Sequence, residues 1–185
     1  MKKPVKAWVV VFCLVLCIAL AATLFIPVFR INISPHARGD AYINVTGLEM
    51  IKGLFLDGSD FASQTTGVQK IFTFLGKGQV DYTQWINPVF MNLLLWTYVV
   101  SLGIGALMLI ITIFNFAGRR FSVFNVLSGL ALFVCGILMI ICIVSQNGEY
   151  VANAVIYYNL QVSVGVILIA VIGFIYMMLA PKKRI

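Results

Sequence analysis

One histidine, His36, stands in the run Pro35-His36-Ala37-Arg38-Gly39-Asp40, with no second ligand nearby of the kind a metal site requires. The carboxylates are Asp40, Glu49, Asp57, Asp60, Asp81 and Glu149. No carboxylate pair falls on a rigid element, and neither a glycine-rich phosphate loop nor a nucleophile elbow occurs. An enzyme acting on lipid at a membrane interface would have only Asp57, Asp60 and Asp81, with His36, to draw on. The thiols, Cys13, Cys17, Cys135 and Cys142, all fall in long apolar runs without a CxxC spacing, which disfavours disulfide-exchange chemistry. They read as small buried apolar side chains, with Cys17 and Cys135 at similar depth. The expectation is therefore no catalytic residue, no cofactor and no metal.

The elements that would position any chemistry are dominated by hydrocarbon. Of 185 residues 62% are hydrophobic and 10% charged, against about 45–50% and about 25% in soluble domains. The excess lies in four runs, each longer than the ~18 residues that mark a membrane-spanning helix. The pattern predicts an all-α polytopic membrane protein, a bundle of four transmembrane helices over 7–27, 88–116, 121–144 and 151–180. Asn87 and Pro88 open the second helix, Gly118 closes it, and Pro181 ends the fourth. The first run also has the basic start and the Ala19-Leu20-Ala21 of a cleavable signal, but it continues through Leu24-Phe25-Ile26 and is read as an uncleaved helix.

Charge sets the orientation. Lys2, Lys3 and Lys6 precede the first helix, Arg119 and Arg120 fill the 117–120 loop, and Lys182, Lys183 and Arg184 lie in the 181–185 tail, with no acid in any of these segments. All six acids lie in the two opposite loops, 28–87 and 145–150. Basic residues stay on the cytoplasmic side, which predicts both termini inside and makes the net charge of +7 a topology signal rather than a nucleic-acid footprint. The Met-Lys-Lys start and compact loops point to a bacterial inner (plasma) membrane. A eukaryotic secretory reading would instead use the Asn32-Ile33-Ser34 and Asn44-Val45-Thr46 acceptor patterns and the basic tail.

Within the spans, Asn92, Asn153, Asn159 and Gln161 fall toward the outer ends of the second and fourth helices, as a polar pocket or as ordinary headgroup contacts. Ser101/Gly105, Gly129/Gly136 and Gly165/Ala170/Gly173 offer small faces for close helix packing, read as holding one bundle together. No span carries Asp, Glu, Lys, Arg or His, which argues against a pump or a proton-coupled carrier in one subunit.

The 28–87 loop is far longer than a connection needs and reads as a small mixed α/β extracytoplasmic cap. Phe29, Ile31 and Ile33 alternate with Arg30, Asn32 and Ser34, and Ala41, Ile43 and Val45 with Tyr42, Asn44 and Thr46, predicting a hairpin over 29–46. Short helices are expected over 47–56 and 66–75, the latter with Thr66 and Gln69 as a capping box; a strand over 69–75 is the alternative. In topology the whole is similar to the claudin-like tetraspan architecture. Gly53-Leu54-Phe55 stands nearest to that family's Gly-Leu-Trp motif, and no cysteine pair follows, so no junction-forming role is carried over.

The expected function is a non-enzymatic scaffold, accessory subunit or sensor. Its partners would be membrane lipids and a membrane or extracytoplasmic protein met through Glu49, Lys52, Leu54, Phe55, Asp57, Asp60 and Phe61, which mix apolar anchors with charges of both signs. An oligomeric channel or small-molecule or lipid transporter is the alternative.

Overall fold

The structure, a computed structural model, describes residues 7–35, 41–55, 88–116, 122–145, 147–151 and 155–179. In chain order these form α1 (Ala7–Ala22), β1 (Pro27–Pro35), β2 (Ala41–Thr46), α2 (Gly47–Phe55), α3 (Pro88–Phe116), α4 (Ser122–Val144), β3 (Asn147–Val151), β4 (Val155–Val162) and α5 (Val164–Met178). The described chain is mostly helical with one small sheet. Two helices are long and apolar enough to cross a membrane, over Leu93–Asn115 and Val123–Val144; α1 and α5 are shorter apolar helices.

Four helices make the bundle. α1 packs on α3 and α5, α3 on α4, and α4 on α5. Each turns inward a stripe at helical spacing: Val10, Cys13, Leu16, Cys17 and Leu20 on α1, and Val166, Ile169, Ala170, Ile172, Gly173 and Tyr176 on α5. All four cysteines are buried and free. The α4–α5 seam is set by small residues. A Cβ on Gly136 would stand 2.7 Å from the Cα of Ala170, and one on Gly129 would stand 2.6 Å from the amide nitrogen of Met177 and 2.8 Å from the carbonyl oxygen of Gly173. Backbone meets backbone here, which only side-chain-free positions permit.

At one end of the bundle lies a four-stranded antiparallel sheet in the order β2-β1-β4-β3. Its two central strands connect directly to helices. The chain leaves α1 through a tight turn in which the amides of Thr23, Leu24 and Phe25 donate to the carbonyls of Leu20, Ala21 and Ala22 at 3.0–3.1 Å, and then enters β1. It leaves β4 through Ser163, whose amide donates to the Val28 carbonyl (3.2 Å), and enters α5. Three main features of this end correct the sequence reading. The first helix stops at Ala22 rather than reaching 27. Residues 147–151 of the expected 145–150 loop and its flank form a strand. In the expected fourth helix over 151–180, Val155–Val162 form a strand instead, and the described helix runs over Val164–Met178.

The reason lies in Val155-Ile156-Tyr157-Tyr158 and the residues up to Val162. β-Branched and aromatic residues favour the pleated surface, and Tyr158, Leu160 and Val162 alternate with Asn159 and Gln161 at the period of a strand. Leu160 is buried while Asn159 and Gln161 are exposed. High mean apolarity carried the stretch past a length threshold that ignores period. The third helix begins at Ser122, and the helix expected over 47–56 spans Gly47–Phe55. The predicted 66–75 helix lies outside the described residues.

A candidate recognition surface on the sheet

The register divides the sheet into two faces. One carries Phe29, Val45 and Val162 side by side, then Leu160. Phe29, Val45 and Leu160 are almost fully buried, in one core with Val28, Met50 and the tops of the helices. The opposite face carries Asn44, Arg30 and Gln161 in one rung and Asn159 in the next. Arg30 Nε donates to Asn44 Oδ1 at 3.0 Å, a cross-strand pair that fixes the guanidinium against the sheet. Asn44, Asn159 and Gln161 are exposed. Amides both donate and accept without carrying charge, so this face is suited to hydrogen-bonding a polar partner, with Arg30 as a cationic point within it.

α2 flanks the sheet and is locked at its start. The Thr46 amide donates to Glu49 Oε2 (2.7 Å), the Thr46 hydroxyl donates to the same oxygen (2.9 Å), and the Glu49 amide donates to Thr46 Oγ1 (3.4 Å). This is a capping box, S/T-x-x-E, with Val45 and Met50 buried at the positions of its hydrophobic staple. The Leu48 amide donates to the Leu24 carbonyl (2.8 Å), tying α2 to the end of α1. At Gly47 any Cβ would run into the Tyr98 hydroxyl and stand 2.7 Å from the Thr23 carbonyl, so only glycine lets α2 descend onto α3.

Of the residues expected to meet a partner, Glu49 is therefore engaged in the cap of its own helix. Lys52, Leu54 and Phe55 lie on α2, and Asp57, Asp60 and Phe61 lie outside the described residues. The orienting basic residues Lys2, Lys3, Lys6, Arg119, Arg120, Lys182, Lys183 and Arg184 lie outside them as well. The sheet gathers two residues that the sequence reading assigns to a helix, Asn159 and Gln161, beside Arg30 and Asn44 from the first loop. That grouping was detectable only as alternation in 158–162, which the apolar run masked.

Sequence reasoning also missed the polar groups inside the bundle. Near the sheet, the Thr23 hydroxyl, which donates to the Leu20 carbonyl (2.6 Å), meets the Tyr98 hydroxyl at 3.2 Å. Near the far end, Thr112 donates to the Met108 carbonyl (2.7 Å), and the Tyr176 hydroxyl lies 3.0 Å from both Thr112 Oγ1 and that carbonyl. Beyond it the Asn115 amide donates to Asn125 Oδ1 (3.1 Å), joining α3 to α4. These hydroxyls and amides are neutral and partnered within the bundle, an arrangement that ties neighbouring helices together. Among the described residues no three of His, Cys, Asp and Glu group as a metal site would require.

No known family, curated protein or solved structure matches the chain in comparison.

Proposed function

We propose that the chain is an integral membrane protein of four spanning helices, α1, α3, α4 and α5, with both termini and the Arg119–Arg120 loop cytoplasmic and the sheet on the outer side of a plasma membrane. In this reading it acts without catalysis, as a scaffold, accessory subunit or sensor that meets an extracytoplasmic segment of another protein through the polar sheet face and the flank of α2.

Two features support the membrane reading. The outward faces of the helices are apolar over their length, with Val11, Val15, Ile18, Leu107, Ile137 and Val171 exposed. Apolar area so continuous is rare on a protein surrounded by water. Length agrees for α1 as well: 16 helical residues give about 24 Å, and the turn through Phe25 adds about 2.0 Å for each of three residues. Together these approach the ~30 Å hydrocarbon core.

The observation that carries the recognition reading is the rung Asn44–Arg30–Gln161, a polar row displayed on a sheet whose central strands run directly from α1 and into α5. A photo-cross-linking residue at Asn44 or Gln161 should trap one defined protein in the native membrane, and the same residue at Leu107 should not. The trapped band should weaken in Arg30→Ala. Selective solute flux through the purified protein in liposomes would overturn the scaffold reading in favour of a transporter or channel, and equal cross-linking at Leu107 would remove the sheet face from it.

A further inference from the structure

We propose that the exposed apolar residues at the helix–sheet junction form a lipid-contacting collar, so that the outer hydrocarbon boundary lies at the base of the sheet and α2 rests in the phospholipid headgroup layer. This rests on the four-span reading and deepens it by naming the lipid-facing residues that end the span.

The collar has a member on every element that reaches the junction: Phe25 after α1 (75% exposed), Leu48 in the first turn of α2 (40%), Trp96 on α3 (56%), Val144 closing α4 (57%) and Val164 opening α5 (58%). Phe25 is not a stray surface residue. Trp8, Val11, Phe12, Val15 and Ile18 make the outward stripe of α1, and the hydrogen-bonded turn from Thr23 to Phe25 carries that stripe upward. From Trp8 to Phe25 the rise is about 27 Å by helix and tight-turn geometry, close to the thickness of a hydrocarbon core. Trp8 thus falls at the level where tryptophan gathers at a membrane surface, and Phe25 at the opposite edge of the hydrocarbon. Trp96 lies about 30 Å above Phe116, the far end of its helix.

Charge agrees with this boundary. No charged residue occurs between Lys6 and Arg30, and Arg30 sits one strand position above buried Phe29. The Leu48–Leu24 hydrogen bond brings Leu48 beside the Phe25 turn. A second copy of the chain would cover one side of such a surface. Only lipid surrounds all of it at one height.

The strand order makes this depth tolerable. Open sheet edges are excluded from hydrocarbon, and the strands continuous with α1 and α5 are the central ones. At its base β1 is paired on both sides, with Val45 opposite Phe29 on one edge and Val162 opposite it on the other.

The test uses single-tryptophan proteins, with native Trp8, Trp85 and Trp96 replaced by Phe as needed, in vesicles of equal parts phosphatidylcholine and phosphatidylglycerol. The lipids are brominated near either the glycerol end or the methyl end of the acyl chains. Phe25→Trp, Leu48→Trp and the protein retaining only native Trp96 should emit at shorter wavelength than in water and lose more fluorescence to bromine near the glycerol. Leu107→Trp, exposed in mid-helix, should lose more to bromine near the methyl end. If Leu107→Trp is quenched while the collar positions respond only to aqueous acrylamide, the collar is wrong and the span stands. Collar positions quenched best by the deep bromine would also overturn the boundary. If no position is quenched, the four-span reading itself fails. The Trp96-only protein keeps the test decisive should a substituted variant not fold.

Discussion

Glu49 shows how a residue's chemistry is decided by its neighbours three positions away. An exposed carboxylate in a mixed-charge loop reads as a contact for a partner, but Thr46 turns it into half of a capping box. Losing such a cap costs about 1 kcal/mol. Thr46→Ala and Glu49→Ala should each raise amide exchange over Leu48–Ile51 by roughly fivefold, the factor that energy implies. Unchanged exchange in both would mean that α2 is held by packing on α3 alone. The buried tyrosines argue similarly. Tyr176→Phe deletes the hydroxyl that links α5 to Thr112 and the Met108 carbonyl, and hydrogen bonds between membrane helices average ~0.6 kcal/mol. Tyr176→Phe and Thr112→Val should each destabilise modestly, and the double variant should cost less than their sum, as partners in one contact do. Strict additivity in reversible unfolding would show that the two do not interact.

Among the elements, α3 and α4 were legible because an unbroken apolar stretch between polar caps has one solution, and the β1–β2 hairpin because Phe29, Ile31 and Ile33 alternate cleanly with polar residues. β4 was not. Tyr157-Tyr158 and the β-branched pair before them are as apolar as a helix, and the alternation that distinguishes a strand begins only at Asn159. Its pairing with β1, more than a hundred positions earlier in the chain, has no local trace at all. The polar face was hidden for the same reason, since Gln161 meets Arg30 only once β4 is placed. Small residues were readable as packing sites but not as to which ones pack. Gly136 faces the backbone of Ala170, whereas Gly103 has nothing within 4 Å of the place a Cβ would occupy. Gly136→Leu should therefore force the α4–α5 seam apart and cost at least about 1–3 kcal/mol, the range for overpacked cores. Gly103→Leu should be close to neutral in the same unfolding assay. Comparable losses at both positions would contradict the seam.

For the whole molecule, the design is a bundle whose interior is held by close backbone contact and neutral hydrogen bonds, topped by a sheet built from the loop after α1 and the loop between α4 and α5. Joining the loops through β1 and β4 makes the sheet a rigid extension of α1 and α5, so a partner bound on its polar face would pull directly on the helices. The proposed function requires that the chain thread the membrane with the sheet outside, and one measurement addresses that directly. In a background where Cys13, Cys17, Cys135 and Cys142 are replaced by Ala, single cysteines are placed at Asn44 on the polar sheet face and at Ser122, the first residue of α4. A membrane-impermeant maleimide applied to intact cells should label Asn44→Cys and should reach Ser122→Cys only after permeabilisation. Labelling of Ser122→Cys in intact cells, with Asn44→Cys protected, would contradict the account.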